Sequence, residues 1–441
     1  MPCHLAPRSN KVVRQLEVWL FDTHIGALAQ IDGRLSFSYA QDWLTTANAI
    51  PLSQSLPLQA EPFDDRATRP YFAGLLPEGD KRKLIAQTLH VSRQNDFALL
   101  DGIGGECAGA VTLLEAGQTP KAPDSPNVVR WLDEAELLRL LDEMPKRPML
   151  AGEEGLRLSL AGAQDKLPVV AEGERIGLPL FNTASSHILK PAIASVEGSV
   201  FNEGFCLALA DALKLDAAKA NIHLAGDRHY LLVARYDRQI SAENRLPRLH
   251  QEDFCQALAV APEYKYQNEG GPNLAQAFDL LRRTTRPSAP HILKLLDFVI
   301  FNALTGNHDA HAKNFSLLYT SRGTVLAPLY DVLSTAVYPN LTDKMAMKIG
   351  GKTRFTEVQA RHWEGFATEA GLSPAQVKKR ILDIAKRLPE LARKTRATFE
   401  AEGNGHAILG QIVALIEQRC ALTIRRLTEP DAGETVKTSS G

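Results

Sequence analysis

The segment Asn307-His308-Asp309-Ala310-His311-Ala312-Lys313-Asn314 crowds a carboxylate, two amides, two imidazoles and an ammonium into eight residues. Four residues separate Asp309 from Asn314. At this spacing a carboxylate can take the proton of an attacking hydroxyl while an amide oxygen holds a metal ion, the division of labour of phosphoryl transfer. After a stretch that reads as a β-hairpin, Pro328-Leu329-Tyr330-Asp331 supplies a further carboxylate, and Asp331 is its candidate metal ligand. A transferring phosphoryl group and its Mg²⁺ carry dense charge, so two hard oxygen ligands are needed. The base must also lie within hydrogen-bond reach of the hydroxyl. The same residues admit a rival chemistry, with His308, Asp309 and His311 as transition-metal ligands of a hydrolase. No cluster elsewhere in the sequence completes that set. His308 is expected to cap or orient the loop, and His311 to lie on the phosphate side or behind the ligands.

Nucleotide-binding candidates lie upstream. Ala161-Gly162-Ala163-Gln164-Asp165-Lys166 is a turn of small residues between two strand-like runs, Leu156 to Leu160 and Leu167 to Val170. Small residues let backbone N–H groups approach phosphate oxygens, although an ordinary hairpin turn looks the same. Ser186 to Pro191 reads as a strand that ends in Lys190, a cation suited to the α/β-phosphates. Glu203 sits early in a helix whose Phe201, Phe205, Leu209 and Leu213 recur every four positions. It either pairs with Lys190 or complements the helix dipole. Tyr230 to Arg238 is an apolar strand with a polar end. In a kinase layout it forms the hinge: backbone groups from Ala234 to Tyr236 meet the adenine edge, and Asp237 accepts from the ribose.

The elements that must position these residues follow from pattern. Leu16 to Phe21, Ile25 to Gln30 and Leu35 to Tyr39 suggest a small antiparallel sheet. A helix is expected over Lys81 to Leu89, and a glycine-rich turn leads into the strand Val111 to Leu114. Beyond about 250 the chain reads as mainly helical, apart from short strands at Phe315 to Thr320 and Thr324 to Ala327. Helices are expected at Ile292 to Leu304 and Ile408 to Leu427. The expected divisions are an N-terminal subdomain over 1–115, a linker over 116–129, a nucleotide-binding part over 130–250, a helical lobe carrying the catalytic loop over 251–427, and a disordered tail over 428–441.

The 441 residues exceed one ordinary core, and the net charge is −1, so no global basic field for nucleic acid is implied. The five cysteines, Cys3, Cys107, Cys206, Cys255 and Cys420, form no CxxC pair and read as reduced thiols. No uninterrupted run of about 18 apolar residues and no signal-peptide core are seen, so a cytoplasmic protein with no membrane partner is expected.

Taken in order, these segments resemble the HipA family of toxin kinases. The resemblance rests on Leu75-Leu76-Pro77-Glu78-Gly79, Gly104-Gly105-Glu106-Cys107-Ala108-Gly109-Ala110, Ser159-Leu160-Ala161-Gly162-Ala163-Gln164-Asp165-Lys166, His187-Ile188-Leu189-Lys190, Ala234-Arg235-Tyr236-Asp237-Arg238, Gln251-Glu252-Asp253, Lys265-Tyr266 with Gly270-Gly271-Pro272, Asp309 to Ser316, and Pro328 to Asp331. It covers about residue 15 to about residue 425, and the AGAQ and DAHAKNFS segments are its most specific parts.

The resemblance implies an α+β, protein-kinase-like two-lobed fold with an N-terminal β-rich subdomain and an all-helical C-terminal lobe. It implies a Ser/Thr protein kinase with Asp309 as catalytic base, Asn314 and Asp331 on Mg²⁺, and Lys190 on ATP phosphates. Ala161 to Lys166 would be the phosphate loop, Ala234, Tyr236 and Asp237 the adenosine cradle, and Ser159 the autophosphorylated serine. The implied partners are a HipB-like helix-turn-helix antitoxin, operator DNA reached mainly through that antitoxin, and a protein substrate such as an aminoacyl-tRNA synthetase. Phosphorylation of that substrate would arrest growth. The chain departs slightly from the family at Asp165, Ala234 and Tyr236. Two other classes stay open: a catalytically silent fold that only holds the antitoxin, and a kinase for a small molecule or lipid.

Overall fold

The computed structural model describes residues 14–120, 128–239 and 246–429. Cys3, half of the expected linker and nearly all of the expected tail lie outside these residues.

Strands Arg14–Leu20 (β1), Thr23–Ile31 (β2) and Arg34–Tyr39 (β3) form an antiparallel meander. Side chains alternate faces along a strand, which turns Leu16, Val18 and Leu20 inward with Ile25, Leu28 and Phe37. Strand Val111–Glu115 (β4) pairs with β1, giving the order β3-β2-β1-β4. Helices Asp65–Gly74, Gly79–Thr88 and Asp96–Ile103 pack into the same core. The first and third start at Asp64 and Asn95, whose side chains accept from Ala67 N and Ala98 N.

A second antiparallel sheet follows: Val129–Trp131 (β5), Leu167–Glu172 (β6), Arg175–Pro179 (β7), His187–Pro191 (β8), Ala220–Ala225 (β9) and Arg228–Ala234 (β10). Its order is β5-β7-β6-β8-β10-β9. Leu189, Tyr230 and Leu232 join the N-terminal core. Their neighbours Lys190, Leu231 and Val233 face the other way, Lys190 and Val233 into a cleft. The run Leu156 to Leu160, expected as a strand, is extended chain held by a single bridge between Leu158 and Glu106. Its partner lies in the N-terminal part, which no local pattern reveals.

The helix Ser199–Ala212 buries Phe201, Phe205 and Leu209 in the C-terminal core, as the four-residue repeat requires. That core is built from helices Leu274–Thr284, Ala289–Thr305, Ala360–Glu369, Pro374–Ala401 and Ala407–Thr428. The last is long and apolar enough to pass for a membrane span, with a mean hydropathy of 1.4 over an 18-residue window. Here it packs against Pro374–Ala401 and Ala289–Thr305 and carries the buried Arg419. The expected short strands are Ser316–Thr320 and Gly323–Leu326. With His250–Asp253 they form a three-stranded sheet, and a hairpin, Lys344–Ile349 with Lys352–Arg354, adds further strand to a lobe expected to be all helical. The segment His-Gln-Glu-Asp at 250–253 has no strand-like alternation. It is a strand because Ser316–Thr320 pairs with it.

Candidate active site

The helix Ala289–Thr305 ends at Gly306, which adopts a left-handed conformation (φ +78°). A side chain there would meet Leu415 and Ala336 at under 3 Å, so glycine lets the chain turn sharply into the loop that follows. Asn307 then donates to Asn302 Oδ1 at 3.0 Å and accepts from Asp309 N at 3.1 Å. His308 is locked: Arg419 donates to its Nε2 at 2.9 Å, so Nδ1 carries the proton and donates to Thr342 O at 3.1 Å. Both nitrogens are used, which removes His308 from any metal set and makes it the loop-orienting residue expected. Among the described residues no three His, Cys, Asp or Glu side chains converge on a metal position.

Asp309 stands at the open mouth of a cleft of about 360 Å³. Its Oδ1 accepts from Tyr266 Oη at 2.7 Å, and its carbonyl accepts from Asn314 Nδ2 at 3.0 Å. Loss of water around the carboxyl raises it above the ordinary carboxylate value, while Tyr266 and Lys265 pull the other way. His311 is buried, and that burial pushes it down to about 3, with Lys265 adding. Its ring is therefore neutral and meets Tyr266 edge-on at 5.2 Å, and its Nδ1 has no partner. Lys313 is buried and donates to Asp253 at 2.9 Å.

Across the cleft, the Lys190 ammonium donates to Glu203 Oε1 at 2.6 Å and to Asp331 Oδ1 at 2.7 Å. The helix and the strand end thus meet as the first of the two readings of Glu203 required. Burial alone would lower Lys190, but Asp331 and Glu203 outweigh it and hold the ammonium above its usual value. Burial would likewise raise Asp331, yet Lys190 and Lys166 hold it well below the carboxylate range.

Ala161, Gly162, Ala163, Gln164 and Lys166 line the same cleft. Gly162 has φ +111°, a conformation that L side chains rarely adopt, and its carbonyl accepts from Glu78 N at 3.0 Å. Lys166 Nζ donates to Ala161 O at 2.9 Å, closing the turn. Burial lowers Lys166, with Asp331 opposing.

Three expected site residues take other partners. Asp165 turns away from the cleft to pair with Lys81 at 2.7 Å, because the helix Gly79–Thr88 offers a cation there. Asp237, expected on the ribose, is buried and accepts from Arg235 Nε at 2.9 Å, Arg235 NH2 at 2.7 Å, Gly109 N at 2.7 Å and Gln251 Nε2 at 3.1 Å. It still lines the cleft, and of these four bonds only the one from Gly109 ties this segment to the N-terminal part. Ser159 is wholly buried and donates to Leu75 O at 2.8 Å, outside the cleft. At the hinge, Ala234 N and Arg235 N already donate to Lys219 O and Ser186 O, so neither is free for an adenine edge. Tyr236 lies on the cleft wall, its ring tilted against Tyr330.

A second set of residues has roles that are not legible from the sequence. Glu106 is fully buried and accepts from Arg235, Arg238 and Arg248. Glu78, from the N-terminal part, reaches the cleft and pairs with Lys265 at 2.8 Å. These residues stood in the motifs of the resemblance, but their partners lie more than a hundred positions away, so only the fold assigns them.

A family model described as the HipA-like C-terminal domain matches residues 158–392, and one described as the HipA N-terminal domain matches residues 16–114. The chain is 49% identical over 380 residues to the putative kinase Y4mE of Sinorhizobium fredii, covering 84% of this chain and 89% of that one. It is 29% identical over 389 residues to the serine/threonine-protein kinase toxin HipA of Shewanella oneidensis, covering 85% and 88%. Its fold is similar to a chain in the solved complex of Shewanella oneidensis MR-1 HipA, HipB and operator DNA, with a TM-score of 0.81, 26% identity and coverage of 93% and 98%.

Proposed function

The chain belongs to the HipA family of kinases, and from that premise we propose that it transfers the γ-phosphoryl group of ATP to protein Ser or Thr hydroxyls as the toxin of a toxin–antitoxin pair. The observation that carries this reading is the convergence of Lys190, Glu203 and Asp331 on one wall of the cleft that also holds Asp309 and Asn314. Its donor set fits a magnesium nucleotide. Asp331 and the side-chain oxygen of Asn314 are hard ligands for Mg²⁺, and Lys190 and Lys166 are cations for phosphate oxygens. Ile188, Ala218 and Val233 give an apolar slot for a base. Mg²⁺, when bound, neutralises phosphate charge. Asp309 takes the proton as the acceptor oxygen bonds to phosphorus and the bond to ADP breaks. His311, neutral and with Nδ1 unpartnered, is a candidate donor to the nucleotide.

The remaining assignments rest on the relatives. A HipB-like helix-turn-helix protein is the proposed antitoxin, with operator DNA reached mainly through it, in keeping with the net charge of −1. The proposed substrate class is a translation factor such as an aminoacyl-tRNA synthetase, the proposed site of self-phosphorylation is Ser159, and the proposed compartment is the cytoplasm. Incubating the protein with γ-labelled ATP and cell lysate tests the reading. Labelled protein is the expected result. Label confined to small molecules or lipid would replace the acceptor class, and no label at all would leave only a silent antitoxin-holding role.

A further inference from the structure

The proposed base is already engaged. Tyr266 Oη lies 2.7 Å from Asp309 Oδ1, and its ring is wedged against His311. The segment bearing Tyr266 is fixed from several sides. Tyr266 O accepts from Glu269 N and Gly271 N, both at 2.9 Å. Gly271 cannot carry a side chain, because a Cβ there would lie 2.2 Å from Tyr264 O. Gln267 Oε1 accepts from Lys348 N at 2.7 Å. The preceding residue, Lys265, reaches Glu78 of the N-terminal part at 2.8 Å, and Glu78 N in turn holds Gly162 O of the phosphate loop.

We infer that Tyr266 is a positioning residue for Asp309: its phenol fixes Oδ1 and leaves Oδ2 to take the acceptor's proton, and the Glu78–Lys265 pair makes the N-terminal part a support of that arrangement. The inference rests on Asp309 being the base. A tyrosine that merely packed against His311 would need no hydroxyl, and a tyrosine that plugged the site would slow the enzyme by its presence. A fixed carboxylate loses less orientation in reaching the transition state, which is where a hydrogen bond to a charged group raises turnover without altering ground-state binding.

Tyr266→Phe keeps the ring and removes only the hydroxyl. The readout is incorporation of label from γ-labelled ATP into the protein of a desalted lysate, measured as the rate at saturating ATP and the ATP concentration giving half that rate. Tyr266→Phe should lower the saturated rate roughly 10- to 100-fold, the usual loss for one hydrogen bond to a charged group. The half-saturating ATP concentration should stay within about twofold. In an Asp309→Asn background the same substitution should have no further effect, because the group it positions is gone. Glu78→Gln should lower the saturated rate by a smaller factor and add nothing in the Tyr266→Phe background. An unchanged rate in Tyr266→Phe beside a crippled Asp309→Asn overturns the inference alone. A faster Tyr266→Phe overturns it in favour of a plug, and equal losses in both backgrounds overturn it in favour of a purely structural role. An Asp309→Asn protein as active as the parent overturns the assignment of the base, and the inference with it.

Discussion

At the scale of single residues, the cleft separates two carboxylates by their surroundings. Asp331 faces two ammoniums and is held as an anion, whereas Asp309 is raised by the loss of water around it. A permanent anion suits a metal ligand, and a carboxylate whose proton affinity is raised suits accepting a proton. Asp309→Asn should therefore lower phosphoryl transfer roughly 10²- to 10⁴-fold while leaving nucleotide affinity nearly intact. Near-normal turnover in that variant would take Asp309 out of the base role. Asp331→Asn should instead weaken Mg²⁺–ATP binding in calorimetry, because a charged oxygen ligand is lost. The variant binding as tightly as the parent would move the metal elsewhere.

At the scale of elements, the extended stretch before the Ala161–Lys166 turn is tied at Ser159, whose N–H donates to Glu106 O at 2.9 Å and whose hydroxyl donates to Leu75 O. A phosphate adds about −1.5 to −2 charges and cannot stay at a position with 0% exposure. Phosphorylation of Ser159 must pull this stretch out of place and carry Ala161 to Lys166 with it. Mass spectrometry of protein made without the proposed antitoxin should find phosphate on Ser159, and the Asp309→Asn protein should lack it. The phosphorylated form should bind ATP much more weakly, with faster amide exchange over 158–166. Equal ATP affinity of the two forms would sink the switch even with the phosphate present. The hinge makes a second case. Glu106 compensates three guanidinium groups in a buried site, so Glu106→Gln leaves Asp237 facing Arg235 and Arg238. Breaking a buried ion pair costs about 3–5 kcal/mol, and urea unfolding should register a loss of that order.

At the scale of the whole molecule, Glu252 joins the N-terminal part to the C-terminal lobe. It accepts from Ser53 Oγ, from Gln54 N at 3.0 Å and from Tyr319 Oη at 2.5 Å. Burial pushes this carboxyl from 4.5 up to about 7, with the three donors opposing. The folded state therefore binds the proton more tightly than the unfolded chain. The resulting stability is fully present below pH of about 4.5 and is lost as pH rises through about 7. At 1.36 kcal/mol per pH unit the contribution is roughly 3 kcal/mol. Thermal unfolding of Glu252→Gln should lack this fall between those pH values. Parallel pH profiles for the variant and the parent would show that Glu252 does not titrate across the junction.

Strand alternation in β1 to β3, the four-residue repeat from Phe201 to Leu213 and the spacing of Asp309, Asn314 and Asp331 are local patterns, so the sequence alone carried the main elements and the outline of the cleft. It also presented both members of the Lys190–Glu203 pair, but their meeting waited on the packing of a helix over a strand end. Asp165, Asp237 and Ser159 each have a partner that the sequence does not reveal, although Asp237 also binds its neighbour Arg235. Each sits beside the cleft in sequence, yet Lys81, Gly109 and Leu75, from the N-terminal part, are close enough in space to take its hydrogen bonds. Pairing of a buried polar group depends on what the fold brings within about 3 Å. Sequence order does not encode that distance for partners 84 to 128 positions apart, and only the tertiary structure decided it.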